Sequence, residues 1–389
     1  MFSLSEHDTA SLTTFLQGLV RIPSLSTQEG ALAARLAEEL RGVGVHDVRV
    51  DRIGNVVARI GASGGKKLLY NGHMDTVGVG DAAAWSHDPF GGEISAGLLY
   101  GRGAVDMKGA LAAMVYALKL LLDAQVLLYG DLYLVGVVQE EPCEGMAMRV
   151  LVEEEGLRPD WVVLGEPSNL QVRRGHPGRL ELEVAVRGVA AHASAPHLGE
   201  NAIYHAAHIV AELERLAQAR PAGHGTLAVT QIESTAGSRN AVPDRCTLII
   251  DRRLALGEDE ASALAELSPL LHGRPAALAV TEHHTTSYTG YQAVQRSYFP
   301  SWALEEDHPL VQSLAGAARQ ALGQEPAVGL WDFATDGVYT MGTAGIPTVG
   351  FGPGEEQYAH KADERIALAD VAAAAGVYAQ LAVDLLGER

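Results

Sequence analysis

The chain has 389 residues, more than one compact core usually holds, and its 47% hydrophobic and 20% charged residues are those of a globular protein, not a disordered one. Twenty-nine Lys plus Arg against 48 Asp plus Glu leave a formal charge of -19, which repels phosphate backbones and anionic membranes and argues against nucleic acid or membrane partners. Cys143 and Cys246 form neither a disulfide framework nor a CxxC pair, and both are expected reduced and buried.

The N-terminal stretch MFSLSEHDTASLTTF carries Glu6 and Asp8 where a secretory leader needs basic and then apolar residues. The longest apolar stretches are cut by Lys119, Asp123 and Asp131, short of the ~20 residues a bilayer span needs. A cytoplasmic chain is therefore expected. Helical periods over residues 8–19 and 28–43 alternate with the apolar runs KKLLYNGH, LYLVGVVQ and DWVVLGEP, which predicts an α/β domain with a mostly parallel sheet. From Gly178 the pattern changes. RLELEVAVRGV alternates as a half-exposed strand does, a helical period follows over 200–218, then come strands TLAVTQIEST and RCTLIIDRRL and a helix DEASALAELSPLLHG. This order predicts a small α+β sandwich inserted over 178–290 into a domain built from 1–177 and 291–389, because helix and buried strand return in HPLVQSLAGAARQAL and IPTVGFG.

Chemistry in such sheets gathers beyond the carboxyl ends of strands, and four polar clusters lie there. His73 and Asp75 in YNGHMDTV share one face of an extended chain, suiting metal ligation with carboxylate support, although these residues alone favour a strand-end turn with a hydrogen-bonded His. Asp106 follows a glycine-rich loop just before a helix, where Asp also serves as an N-cap; no GKS/T sequence supports phosphate cradling. Glu140 and Glu141 in VVQEEP end an apolar run, and strand alternation would send them to opposite faces. Glu166 in VVLGEPSN and His360 in AHKADE each place one ligand-capable side chain past a buried strand. His73, Asp106, Glu141, Glu166 and His360 make an imidazole and carboxylate set that suits zinc, and a bridging carboxylate would hold two ions ~3.5 to 4 Å apart.

GHMDTV, GRGAVDMKG, QEEP, GEPS, GVAAHASAPHLGENAI, RNAVPDRC and AHKADE occur in order across nearly the whole chain. Together they resemble the acetylornithine deacetylase, succinyl-diaminopimelate desuccinylase, aminoacylase and glutamate carboxypeptidase family of dinuclear zinc hydrolases. The resemblance implies a zinc-peptidase-like catalytic domain with an inserted lid and dimerisation domain. It implies that Asp106 bridges two metals, that His73 and Glu166 complete one site, and that Glu141 and His360 complete the other. Asp75 then lies behind His73, and Glu140 is the general base for the water between the metals. His192 reaches the partner subunit's site to stabilise the oxyanion, while Asn240, Arg253, Gly352 and Gly354 contact substrate. His205 and His208 are left as non-ligands. Gln139 and Gly78 depart from the family pattern, where an acid and a proline are common, and resemble a less characterised branch.

The resemblance thus implies a homodimeric amidohydrolase or metallopeptidase with two divalent ions, zinc or else cobalt or manganese. Its substrate would be a small N-acyl amino acid or dipeptide with a free carboxylate. The alternative from another class is a non-catalytic metal-binding or scaffold protein on the same fold; every ligand and base position is filled, which favours the enzyme.

Overall fold

A computed structural model describes residues 2–61, 64–221 and 223–387. The helix Glu6–Val20 starts where Ser5 Oγ accepts the amide N–H of Asp8, and it buries Leu12, Phe15, Leu16, Leu19 and Val20 at the spacing of one helical face. The helix Gly30–Gly42 buries Leu32, Ala33, Leu36, Ala37 and Leu40 in the same way. These faces cover an eight-stranded sheet whose order runs 47–50, 56–61, 131–137, 67–73, 161–164, 348–350, 172–173, 328–329. Strand Lys67–His73 lies parallel between Asp131–Val137 and Trp161–Leu164, and Thr348–Gly350 extends that parallel set. The first two strands pair antiparallel at one edge.

Parallel strands need both faces covered, and the apolar helices Gly109–Asp123 and Leu368–Leu386 pack on each other and against the central strands. Leu368–Leu386 is long and apolar enough, by length and composition, to cross a membrane. This departs from the expectation of no such segment, which rested on the stretches cut by Lys119, Asp123 and Asp131. Here the helix buries Val371, Ala374, Val377, Tyr378 and Leu381 in the main core.

A second, five-stranded sheet has the strand order 227–235, 245–254, 178–187, 276–280, with 298–299 also pairing 178–187, all antiparallel. Gly178–Arg187 alternates strictly: Leu180, Leu182, Val184 and Val186 are buried with Ala202, Ala206, Ile209 and Leu213 of the helix Ala202–Ala219. This hydrophobic cluster is separate from that of the main sheet. Two short pieces, Gly175–His176 and Trp302–Ala303, pair where the chain leaves the main body and returns.

Candidate metal centre

Four parallel strands end on one side of the main sheet, and each delivers a side chain to the same cleft. His73 is the last residue of its strand; Glu166 stands two residues beyond Trp161–Leu164. Glu140 and Glu141 follow Asp131–Val137, and His360 lies in the loop after Thr348–Gly350. Asp106 comes from the turn before helix Gly109–Asp123.

Asp106 is shared. Its Oδ1 lies 2.8 Å from His73 Nε2, which is itself 3.8 Å from Glu166 Oε1. Its Oδ2 lies 3.1 Å from His360 Nε2, which is 3.1 Å from Glu141 Oε2. Within each of these two triads the ligand atoms fall within 4.8 Å of one another. Asp106 has φ -123 and ψ 91, an extended conformation, and Lys108 occupies the N-cap of the following helix, so the capping alternative for Asp106 fails.

The electrostatics test whether this cluster suits cations. Asp106, Glu140, Glu141 and Glu166 converge with only two imidazoles. Burial, then the charge of Glu166, pushes the Glu140 carboxyl well above its usual range; burial, then Asp106 and Glu141, does the same to Glu166. Burial also raises Glu141. Burial alone would push His73 down, but its hydrogen bond to Asp106 and the charges of Glu166, Asp106 and Glu140 hold it well above the imidazole range. Hydrogen bonds to Asp106 and Glu141 push His360 up to about 10. The carboxylates therefore demand positive charge at this spot, and buried charge of one sign is costly until paired. Oxygen and imidazole donors in two triads about one shared carboxylate fit two divalent ions.

The surrounding hydrogen bonds orient the ligands. His73 Nδ1 donates to the backbone carbonyl of Asp75 at 2.8 Å, which fixes the ring so that Nε2 is the nitrogen facing the cluster. The Asp75 carboxylate, 3.7 Å from His73 Nδ1, has another task. It accepts the amide N–H of Glu140 at 3.0 Å, that of Glu141 at 3.2 Å and the Ser26 hydroxyl at 2.7 Å. This corrects the alternation expected for the glutamate pair. The strand stops at Val137, Gln139 takes φ +55, and both glutamates stand in a turn held by Asp75. Glu364, the last residue of AHKADE and not among the expected site residues, accepts the amides of Val105 and Asp106 on Oε1 at 2.9 and 3.1 Å and Arg102 on Oε2 at 2.5 Å.

The cleft has a volume of about 410 Å³ and is lined by Asp106, Glu140, Glu141, Glu166 and His360 together with Glu144, Arg179 and Arg253. Arg253 is held by Asp251 at 2.8 Å. Arg179 pairs with Glu144 at 2.8 Å and lies over the Phe299 ring; neither partner carries a sequence signal, since the pair joins two elements 35 residues apart. His192 and Asn240 are not among the lining residues. They are neighbours on an exposed two-stranded ribbon, where the Asn240 carbonyl accepts the Ala193 N–H. His192 Nδ1 accepts the Ser194 amide at 3.1 Å, leaving an outward Nε2–H donor. Gly352 and Gly354 are buried, the first against the backbone of Gly165 and Glu166 and the second against Val105 and Ile366. A Cβ on Gly352 would stand 2.3 Å from the Gly165 carbonyl oxygen, and Gly354 takes φ +87. His205 and His208 lie on the helix Ala202–Ala219, away from the cleft lining.

A carboxylate shared by two metal-suited triads at the strand ends of an α/β sheet is the arrangement of a dinuclear metal-binding protein. A model of peptidase family M20/M25/M40 matches residues 69–384, and the chain belongs to that family. It is 39% identical over 383 residues to the uncharacterised protein YgeY of Escherichia coli K12, covering 97% of this chain and 95% of that one. It is 28% identical over 391 residues to succinyl-diaminopimelate desuccinylase of Paracoccus denitrificans, covering 96% and 97%. A tripeptidase of Staphylococcus aureus shares the fold at a TM-score of 0.75 and 23% identity, covering 97% and 98%.

Proposed function

We propose that the chain hydrolyses the amide bond of small N-acyl amino acids or dipeptides that carry a free carboxylate. The observation that carries this reading is the Asp106 carboxylate shared by two triads, with Glu140 buried beside them. Two divalent ions, zinc or else cobalt or manganese, would supply charge that acidifies a water and polarises a carbonyl oxygen, worth several kcal/mol. His73, Asp106 and Glu166 would hold one, and Asp106, Glu141 and His360 the other.

Glu140 is the remaining carboxylate of the cluster. Its backbone is fixed by Asp75 and, among the described residues, no hydrogen bond holds its side chain, so it accepts a proton from the attacking water and delivers it to the leaving amine. Arg179 and Arg253 bring guanidinium donors to the cleft lining, each already paired with a carboxylate, and their remaining donors suit a substrate carboxylate. The outward Nε2–H of His192 suits an oxyanion contact in a second copy's cleft, and the separate cluster of residues 178–280 suits a lid and dimerisation domain. The cytoplasm is the proposed compartment.

The test is release of free amine from a panel of N-acetyl and N-succinyl amino acids and dipeptides, run with zinc, cobalt and manganese. Turnover of at least one member, abolished by a chelator and restored by metal, is expected. Full metal loading with no turnover of any member would favour the non-catalytic binding protein.

A further inference from the structure

The hairpin formed by Glu282–Thr286 and Gln292–Arg296 leaves the second sheet directly after Ala276–Val280, yet its tip is fastened to the main body. The Tyr288 ring lies on two glycines: a Cβ at Gly54 would stand 2.4 Å from it and one at Gly30 3.0 Å. Its hydroxyl donates to the Gly54 carbonyl at 2.9 Å, and Thr289 Oγ1 donates to the Arg52 carbonyl at 2.7 Å. Along the stem, Arg149 donates to Gln295 Oε1 at 2.9 Å and to the Val294 carbonyl at 3.2 Å. These contacts make the hairpin a strap between the two sheets, in addition to the paired crossing at 175–176 and 302–303.

One strap residue reaches the cleft's machinery. Thr285 Oγ1 donates to Gln139 Oε1 at 2.5 Å. Gln139 is fully buried, holds φ +55 and directly precedes Glu140; its own amide donates to Glu29 Oε1 at 3.1 Å. A residue other than glycine stays in the left-handed region only where its surroundings impose it. The surroundings here are the Glu29 carboxylate on the Gln139 amide, the Asp75 carboxylate on the next two amides, and the Thr285 hydroxyl, from the strap, on the Gln139 side chain. Among the described residues Thr285 alone holds the Gln139 side chain: Gln139 Nε2 is buried without a hydrogen-bond partner, as is Glu29 Oε2. An acid at 139 would add charge beside Glu29, whereas the amide takes the Thr285 hydroxyl without charge.

We propose that Thr285 is a positioning residue for the proton-transfer step: through Gln139 it fixes the turn from which Glu140 reaches the cleft, so that the strap carries the placement of the second sheet into the site. The inference rests on the reading of Glu140 as the general base. Thr285 touches neither substrate nor ligand atoms.

The test compares wild type with Thr285→Val, which removes the hydroxyl at nearly constant volume, and Thr285→Ser, which keeps it. Three readouts are taken on the metal-loaded full chain: metal per chain by elemental analysis, amide hydrogen exchange over residues 138–145, and kcat and KM on a panel member that wild type turns over. Thr285→Val should keep wild-type metal content, exchange the Glu140 and Glu141 amides roughly tenfold faster, and lower kcat roughly 10- to 100-fold with KM within about twofold. Thr285→Ser should restore exchange and kcat. Gln139→Met, which removes the acceptor instead, should reproduce the valine pattern and carries the test if the valine variant does not fold. Wild-type exchange and kcat in Thr285→Val, or a serine variant as impaired as the valine one, overturns the proposal. If wild type turns over no amide at all, the hydrolase reading falls, and the exchange comparison alone decides whether Thr285 holds the turn.

Discussion

His176 is wholly buried, and its Nε2 receives the indole N–H of Trp302 at 2.7 Å. An indole nitrogen only donates, so Nε2 must keep its lone pair, and Nδ1 carries the proton that meets the Pro177 carbonyl at 2.7 Å. Burial pushes this imidazole down to about 4. Above pH 6.5 the ring is neutral whether the chain is folded or not, and it adds no pH dependence. Between 6.5 and 4 the unfolded chain takes a proton that the folded one refuses, so stability falls as pH falls, by roughly 3 kcal/mol across the window. Urea unfolding at pH 7.5 and 4.5 should show this increment in wild type and lack it in His176→Gln; equal pH slopes would contradict it. Glu140 offers the second test at this scale. Glu140→Gln keeps the shape and every ligand, so it should bind as much metal as wild type by elemental analysis and lose roughly 100-fold or more in turnover. A variant with wild-type kcat would remove Glu140 from proton transfer.

Among elements, the two turns that bring Asp106 and Glu140 together matter most. The Asp106 turn rests on Glu364, which is fully buried and binds two of its amides and Arg102 at once. Glu364→Ala strands the buried Arg102 and frees the turn. A loss of about 3 to 5 kcal/mol in unfolding free energy and roughly 10- to 100-fold in metal affinity is expected from denaturant titration and metal competition. Unchanged metal affinity would limit Glu364 to a structural role. The elements themselves were legible in the chain's periodicity: apolar runs ending at His73, near Glu141 and near Glu166 marked strand ends, and helical spacing marked Glu6–Val20 and Gly30–Gly42. The ligand set was readable from residue types at those ends and became specific through the ordered motifs. The turn at Gln139 was not readable, because its left-handed backbone is held by Glu29 and Asp75, 110 and 65 residues away from the amides they accept. Asp75 shows the same limit. Spacing suggested that its carboxylate backs His73, whereas its carbonyl takes the imidazole proton and its carboxylate holds the glutamate turn.

At the scale of the whole molecule, the second sheet carries Arg179, Arg253 and the strap toward the cleft while His192 stays outside it. The proposed dimer, in which His192 of one copy serves the other's cleft, makes a specific demand. Mixing His192→Ala chains with Asp106→Asn chains, each inactive alone, should restore part of the wild-type amine release after subunit exchange, because one cleft per mixed dimer is then complete. No recovery in a verified mixed dimer would confine each site to its own chain. The central claim is narrower: one carboxylate, Asp106, serves two cation sites. It is tested most directly by counting zinc per chain by elemental analysis after equilibrium dialysis. Two ions in wild type and one in Glu141→Ala are predicted; a single ion in wild type, or two retained in Glu141→Ala, would contradict the account.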